Sequence, residues 1–208
     1  GQRRQADAVF ADLLLRQPGD PTAHYAHGLY LAAAQRDVAA LATLGDVAPE
    51  LWGEGMRTLA ARVQRRQLLE RAETLRASGR EAAAVGLIEH AVRENGGPPD
   101  DLVMLADWAA SRGEPDKALD YLQQALTLDR QHAGARLARI EVLVAANRLA
   151  EARDRLVHDV PQLAAGDING RRRLANSWAV VGELATARTQ LIALERQQAE
   201  ADPLLRRD

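Results

Sequence analysis

The chain has 208 residues, of which 47% are apolar and 27% are charged, and its formal net charge is −2 at pH 7. This weak charge argues against general nucleic-acid binding, which needs a strongly positive surface. No apolar run reaches the length of about 18 residues that a membrane-spanning helix requires. Because the sequence has no cysteine, disulfides, thiol catalysis and thiolate metal sites are excluded.

The first part of the chain shows the 3.6-residue periodicity of amphipathic helices. We interpret residues 2–16 as the second helix of a pair whose first helix is cut away. The next pair is predicted over residues 22–35 and 37–44. The chain is therefore expected to be a fragment of a longer helical array.

An enlarged unit interrupts this regularity around residues 45–78. Pro49 marks a loop, and no helix breaker occurs from Glu54 to Ser78, which predicts one long helix. A uniform stack of hairpins has one curvature, so a longer unit must change its direction. We therefore expect this unit to act as a hinge between residues 1–44 and 79–208.

A helix-turn-helix unit then recurs along the rest of the chain. Its turn residue is followed five places later by alanine and nine places later by a bulky apolar residue. The turn residues are Gly79, Gly113, Asn147 and Gly182, separated by 34, 34 and 35 residues. The alanines are Ala84, Ala118, Ala152 and Ala187, and the bulky residues are Ile88, Leu122, Leu156 and Leu191.

A helical hairpin with this period resembles the tetratricopeptide repeat. The residues that carry the likeness in the central unit are Leu102, Leu105, Gly113, Ala118, Leu122 and Ala125. The unit departs from the family pattern at two places. Arg130 replaces the closing proline, and the aromatic of the first helix is shifted to Trp108. The resemblance implies an all-α fold, in which residues 1–208 form a single right-handed α-solenoid.

Such solenoids bind partners on the concave surface that their first helices line. By resemblance, the residues expected on that surface are Arg66, Glu73, Arg76, Asp107, Ser111, Glu141, Arg172 and Asn176. The set is mixed in charge and poor in aromatic residues. It suits a polar peptide or protein, and it also suits a hydrated polysaccharide.

The sequence offers little that predicts chemistry. His24 and His27 have the spacing of some metal pairs but no evident third ligand, so no metal is predicted. The chain has no phosphate-binding loop or catalytic motif, and we predict neither an enzyme nor a cofactor. The arginine clusters are interpreted as surface ion pairs, such as Arg66 with Glu70. Trp52, in the irregular loop, is the candidate for an exposed aromatic.

A second resemblance comes from the passage between Leu44 and Arg80, with its loop and long arginine-rich helix, and from the Ala/Leu/Arg-rich repeats after it. Both are similar to the periplasmic repeat region of the bacterial cellulose synthase operon protein C family. The resemblance implies a periplasmic scaffold that links the cellulose synthase to an outer-membrane export barrel. Its partners would be other subunits of that complex, together with peptidoglycan or glucan.

Two other functions stay open from the sequence. One is a peptide- or protein-binding adaptor unrelated to polysaccharide export, and the other is direct glucan or peptidoglycan binding by the groove. No nucleic acid and no membrane insertion are predicted. Because the cut ends of an array expose apolar stripes, we also expect self-association through them.

Overall fold

The computed structural model describes residues 2–163 and 168–201, and within them the chain forms eleven α-helices and no strand. The helices are α1 (Gln2–Arg16), α2 (Pro21–Ala33), α3 (Asp37–Gly45), α4 (Glu54–Ala77), α5 (Glu81–Asn95), α6 (Pro99–Ser111), α7 (Pro115–Leu128), α8 (Ala133–Ala145), α9 (Leu149–Leu163), α10 (Ile168–Val180) and α11 (Leu184–Ala201). The predicted all-α fold of helical pairs is confirmed. The long helix predicted from Glu54 is α4, and it has 24 residues. None of the described helices is long and apolar enough to span a bilayer.

The turn inside each pair has the same backbone geometry. The turn residues have positive φ angles: Gln35 (58°), Gly79 (75°), Gly113 (74°), Asn147 (57°) and Gly182 (91°). After each of them, the next backbone N–H donates to the carbonyl five residues earlier, as in Glu114 to Ala109 O at 3.0 Å and Arg148 to Leu143 O at 2.9 Å. This is the Schellman pattern, which satisfies carbonyls that the ending helix leaves free. The predicted turn residues are therefore confirmed.

The residues at fixed distances from the turns form the buried spine. The alanine five places on is buried in all five turns, counting Ala40 after Gln35. The bulky residue nine places on is fully buried at Leu44, Ile88, Leu122 and Leu156. Leu191, at the same position of the last pair, differs from them and is 37% exposed. Within the described residues, α11 packs mainly against α10, so its far side lacks a covering helix.

The chain divides into two compact units, Gly1–Ile88 and Glu89–Asp208. In the first unit, α2, α3 and α4 pack around a core that includes Leu31, Leu44, Met56, Leu59 and Val63. The irregular segment before α4 contains one 3-10 turn, Pro49–Leu51, where the sequence predicts a loop. The hinge around residues 45–78 stays a prediction.

The second unit contains the pairs α6–α7, α8–α9 and α10–α11. Its core includes Leu137, Ile140, Leu156, Leu174 and Trp178. The helix α9 continues past Pro161 to Leu163. Proline removes one backbone donor, but its fixed φ is compatible with a helix.

Candidate functional site

Three predicted binding residues lie on α4 in the first unit, and Arg66 has a structural partner there. Its Nε donates to Asp37 Oδ2 at 2.5 Å, its Nη2 contacts Asp37 Oδ1, and Nη2 also donates to Ala32 O at 3.1 Å. Asp37 is the first residue of α3 and is buried. Arg66 thus ties α4 to the start of α3, and its hydrogen-bonded partner is Asp37, where the sequence predicts Glu70.

Glu73 and Arg76 lie about two and three turns closer to the end of α4 than Arg66, and both are exposed. Arg76 Nη1 lies 3.7 Å from Glu73 Oε2, and Arg76 Nε lies 3.9 Å from Glu81 Oε1. These long, solvated pairs hold the side chains loosely. Both residues stay accessible to a partner.

Five predicted binding residues lie on the first helices of the second unit, α6, α8 and α10. Asp107, Glu141 and Asn176 occupy equivalent positions of successive repeats, 34 and 35 residues apart. Asp107, Ser111, Arg172 and Asn176 are exposed, and Glu141 is half-buried. Ser111 Oγ donates to Trp108 O at 2.8 Å within its own helix. We call these five residues together with Arg173 the first-helix face.

Arg173 is the member of this face that the sequence analysis missed. Its Nε donates to Glu141 Oε1 at 2.5 Å and its Nη2 contacts Glu141 Oε2, so the guanidinium grips the carboxylate with two hydrogen bonds. The two residues are 32 apart, one pair of helices along the chain. Only the triple-arginine run could have suggested Arg173, and that run does not single out which arginine faces α8.

The charges of Arg173 and Glu141 act on the carboxyl group of Asp107, which lies on the neighbouring helix α6. Partial desolvation raises the pKa of Asp107, Arg173 lowers it, and Glu141 raises it again. The net shift is upward, so the ionised form of Asp107 is disfavoured in the folded chain. The first-helix face therefore has the carboxyl groups of Asp107 and Glu141 close to the guanidinium group of Arg173. This mixture of charges suits polar and charged partners.

Trp52, the candidate for an exposed aromatic, is one of three tryptophans that the structure partly or fully buries. Trp52 is half-buried, its ring packs against the core of the first unit, and Nε1 donates to Val47 O at 2.9 Å. This hydrogen bond joins Trp52 to Val47 and so stabilises the irregular segment before α4. Trp108 and Trp178 are buried.

His24 and His27 also have structural contacts. The ring of His24 is buried between two carbonyls, with Nδ1 2.8 Å from Thr43 O and Nε2 3.0 Å from Pro18 O. His27 Nδ1 lies 3.0 Å from Thr43 Oγ1, and its ring stacks on Phe10. Among the described residues, no three metal-ligating side chains converge on one point.

Comparison with known proteins agrees with this architecture. Residues 109–166 match the family model of the tetratricopeptide repeat. Among solved structures, PilW, described as a type IV pilus biogenesis factor, covers 96% of this chain and 85% of its own with a TM-score of 0.53 at 14% identity. MamA aligns over 87% of this chain and 93% of its own with a TM-score of 0.52 at 16% identity. At these identities the likeness concerns the fold alone.

Curated relatives extend the sequence likeness over nearly the whole chain. It is 34% identical to cellulose synthase operon protein C of Escherichia coli over 205 residues, and 35% identical to that of Salmonella typhimurium. The match covers 98% of this chain and 17% of each relative, so the chain spans a small part of their length. Residues 109–166 thus match the tetratricopeptide repeat, and the sequence is similar, over nearly its whole length, to a segment of cellulose synthase operon protein C.

Proposed function

We propose that this chain is a scaffold segment of a bacterial cellulose synthesis and export complex. It acts in the periplasm and links the synthase to the outer-membrane barrel through protein–protein contacts. The observation that carries the proposal is the 34–35% identity to cellulose synthase operon protein C over 98% of the chain. The fold supports a non-catalytic role, because stacked helical hairpins offer long surfaces for partners.

The contacts of the second unit favour a polar protein partner. On the first-helix face, Glu141 and Arg173 hold each other in place, while Asp107, Arg172 and Asn176 stay exposed. Charged side chains of both signs that are fixed in position suit a partner with a complementary charged surface. Such complementarity contributes to the specificity of binding more than to its affinity. We propose that subunits of the cellulose synthase complex dock on this face.

Direct glucan binding receives less support. Sugar rings stack well on exposed aromatic faces, whereas all three tryptophans of the sequence are buried or half-buried. A glucan would then be held by hydrogen bonds alone, in competition with water. We therefore place protein contacts first and treat glucan or peptidoglycan binding as secondary.

The proposal is tested in the bacterium that encodes this chain. The coding region for residues 21–201 is deleted in frame, and exported cellulose is measured together with the amount of the remaining protein in the outer membrane. We expect cellulose export to be lost while the remaining protein persists. Unchanged export at normal protein levels would favour an adaptor unrelated to cellulose.

A further inference from the structure

A polar pocket lies among α7, α8 and α9 in the second unit. Its volume is about 330 Å³. The lining residues are Gln123, Leu126, Thr127, Arg130, Arg136, Arg139 and Asp159. None of them belongs to the first-helix face, so the pocket is a separate feature of the same unit. Its volume would hold a small charged group with a few waters.

The charges that line the pocket do not balance. The lining residues include three arginines, Arg130, Arg136 and Arg139, and a single carboxylate residue, Asp159. Asp159 is buried and accepts a hydrogen bond from Arg139 Nη2 at 2.7 Å, while Arg136 Nη1 lies 3.8 Å away. By formal count the lining carries two positive charges in excess. Such an excess at a partly desolvated site attracts an anion.

Two of the arginines are fixed in position by the protein itself. Arg136 has a side chain only 10% exposed, and its Nε donates to Arg130 O at 3.0 Å. Asp159 holds the end of Arg139. A ligand therefore meets guanidinium groups that are already oriented, which lowers the entropy lost on binding.

One donor at this site lacks an acceptor. Arg139 Nε is buried, and no hydrogen-bond partner for it occurs among the described residues. A buried N–H of a charged group without a partner costs free energy, and folded proteins rarely leave one. Because Arg139 Nε has no solvent-accessible surface, a ligand oxygen accepts this bond only if the Arg139 side chain shifts on binding.

We infer that this pocket binds a compact oxyanion, a carboxylate or a phosphate. Guanidinium groups match both anions because their planar N–H donors form paired, charge-assisted hydrogen bonds with two oxygens. Arg136 and Arg139 supply charges that the protein holds in position, and Arg130 supplies a charge from an exposed side chain. Asp159 orients the arginines. This inference does not depend on the proposed role in cellulose export.

The test follows the side-chain Nε–H resonances of the arginines in the ¹⁵N-labelled chain by NMR. Inorganic phosphate and succinate are titrated separately, with chloride adjusted to keep the ionic strength constant. We expect a saturable shift of the Arg139 Nε–H signal with at least one of the two anions. A saturable response to phosphate alone assigns a phosphoryl-type ligand, and a response to succinate assigns a carboxylate.

Variants separate a built site from general attraction to positive charge. Arg130→Gln changes an exposed side chain, so the fold is retained, and it should weaken anion binding about tenfold through loss of a charge-assisted hydrogen bond. Arg188→Gln, which removes an exposed arginine of α11, is the matched control and should leave the affinity unchanged. Shifts that grow linearly with both anions, or equal affinities in the two variants, would refute the site.

Discussion

Asp37 is a carboxylate that folding removes from water, and Arg66 is the group that compensates for it. The carboxyl side chain is only 9% exposed, while that of Arg66 is 37% exposed. The hydrogen bonds with Asp37 raise the pKa of Arg66. The pair joins residues 29 apart, so no helical spacing in the sequence could have shown it.

Removing the arginine should therefore destabilise the first unit. We expect Arg66→Gln to lower the free energy of unfolding by about 1–2 kcal/mol, less than for a fully buried pair because solvent reaches the arginine. Urea unfolding followed by circular dichroism measures the change. The matched control is Arg62→Gln, an exposed arginine one turn earlier on α4, which should be nearly neutral. Equal effects of the two variants would show that the pair contributes nothing specific.

Asp107 gives a pH-dependent prediction for the second unit. Its pKa is raised in the folded chain, mainly by desolvation, so the ionised carboxylate opposes folding above that pKa. Asp107→Asn should then raise the Tm slightly at pH 7, and the difference from the parent should shrink as the pH falls through the pKa of Asp107. Thermal unfolding between pH 3 and 7, roughly the range around carboxyl titration, measures it. A Tm difference that grows toward low pH would contradict the desolvation argument.

At the scale of the helical pair, the sequence predicts the structure well because the determinants are local. A left-handed turn residue, a small residue five places on and a bulky residue nine places on fix how two helices meet. Gln35 shows that the register matters more than residue type, since it takes a φ of 58° where glycine stands in most other turns.

This turn predicts a stabilising substitution. Gln35→Gly should raise the free energy of unfolding by about 0.5–1 kcal/mol, because glycine adopts a positive φ without the steric cost that side chains have there. Gln35→Ala keeps that cost and is the control, with little change expected. Chemical unfolding of both variants measures the difference. A destabilised Gln35→Gly would indicate that the glutamine side chain has a role of its own.

Replacing the leucine nine places after the turn by alanine should destabilise two of the repeats to different extents. Leu122→Ala should cost about 2–5 kcal/mol, because it opens a cavity in a fully buried site. Leu191→Ala should cost well under half of that, since this leucine is 37% exposed. Unfolding free energies of the two variants compare them directly. Similar losses would show that Leu191 is covered in solution.

At the scale of the whole molecule, the exposed apolar residues of α11 predict that one chain associates with a second copy. Leu184 is 68% exposed, Leu191 37% and Ile192 38%. Such side chains lie together on one helix and can pair with a second copy. We expect the average mass from light scattering to rise with concentration and the triple change of these residues to Ser to suppress the rise. A constant monomer mass at high concentration would contradict this expectation.

What the sequence could not predict are the side-chain contacts between different helices. The pairing of Arg173 with Glu141 and the gathering of Arg130, Arg136, Arg139 and Asp159 depend on how successive hairpins stack, which no short-range pattern encodes. Trp52 shows the same limit, because its burial depends on the path of the loop before α4. The helices and the buried spine can be predicted from the periodicity of the sequence. The side-chain contacts of the sites depend on how the helices pack.

The contact that we propose is between the first-helix face of the second unit and the cellulose synthase complex. It is tested most directly by placing a photo-crosslinking amino acid at Asn176 in the full-length protein of a cellulose-producing cell, with Arg188 as the control position. We predict a crosslink from position 176 to an identified subunit of that complex, formed more strongly than from position 188. No crosslink to such a subunit from position 176, or equal crosslinking from both positions, would contradict the account.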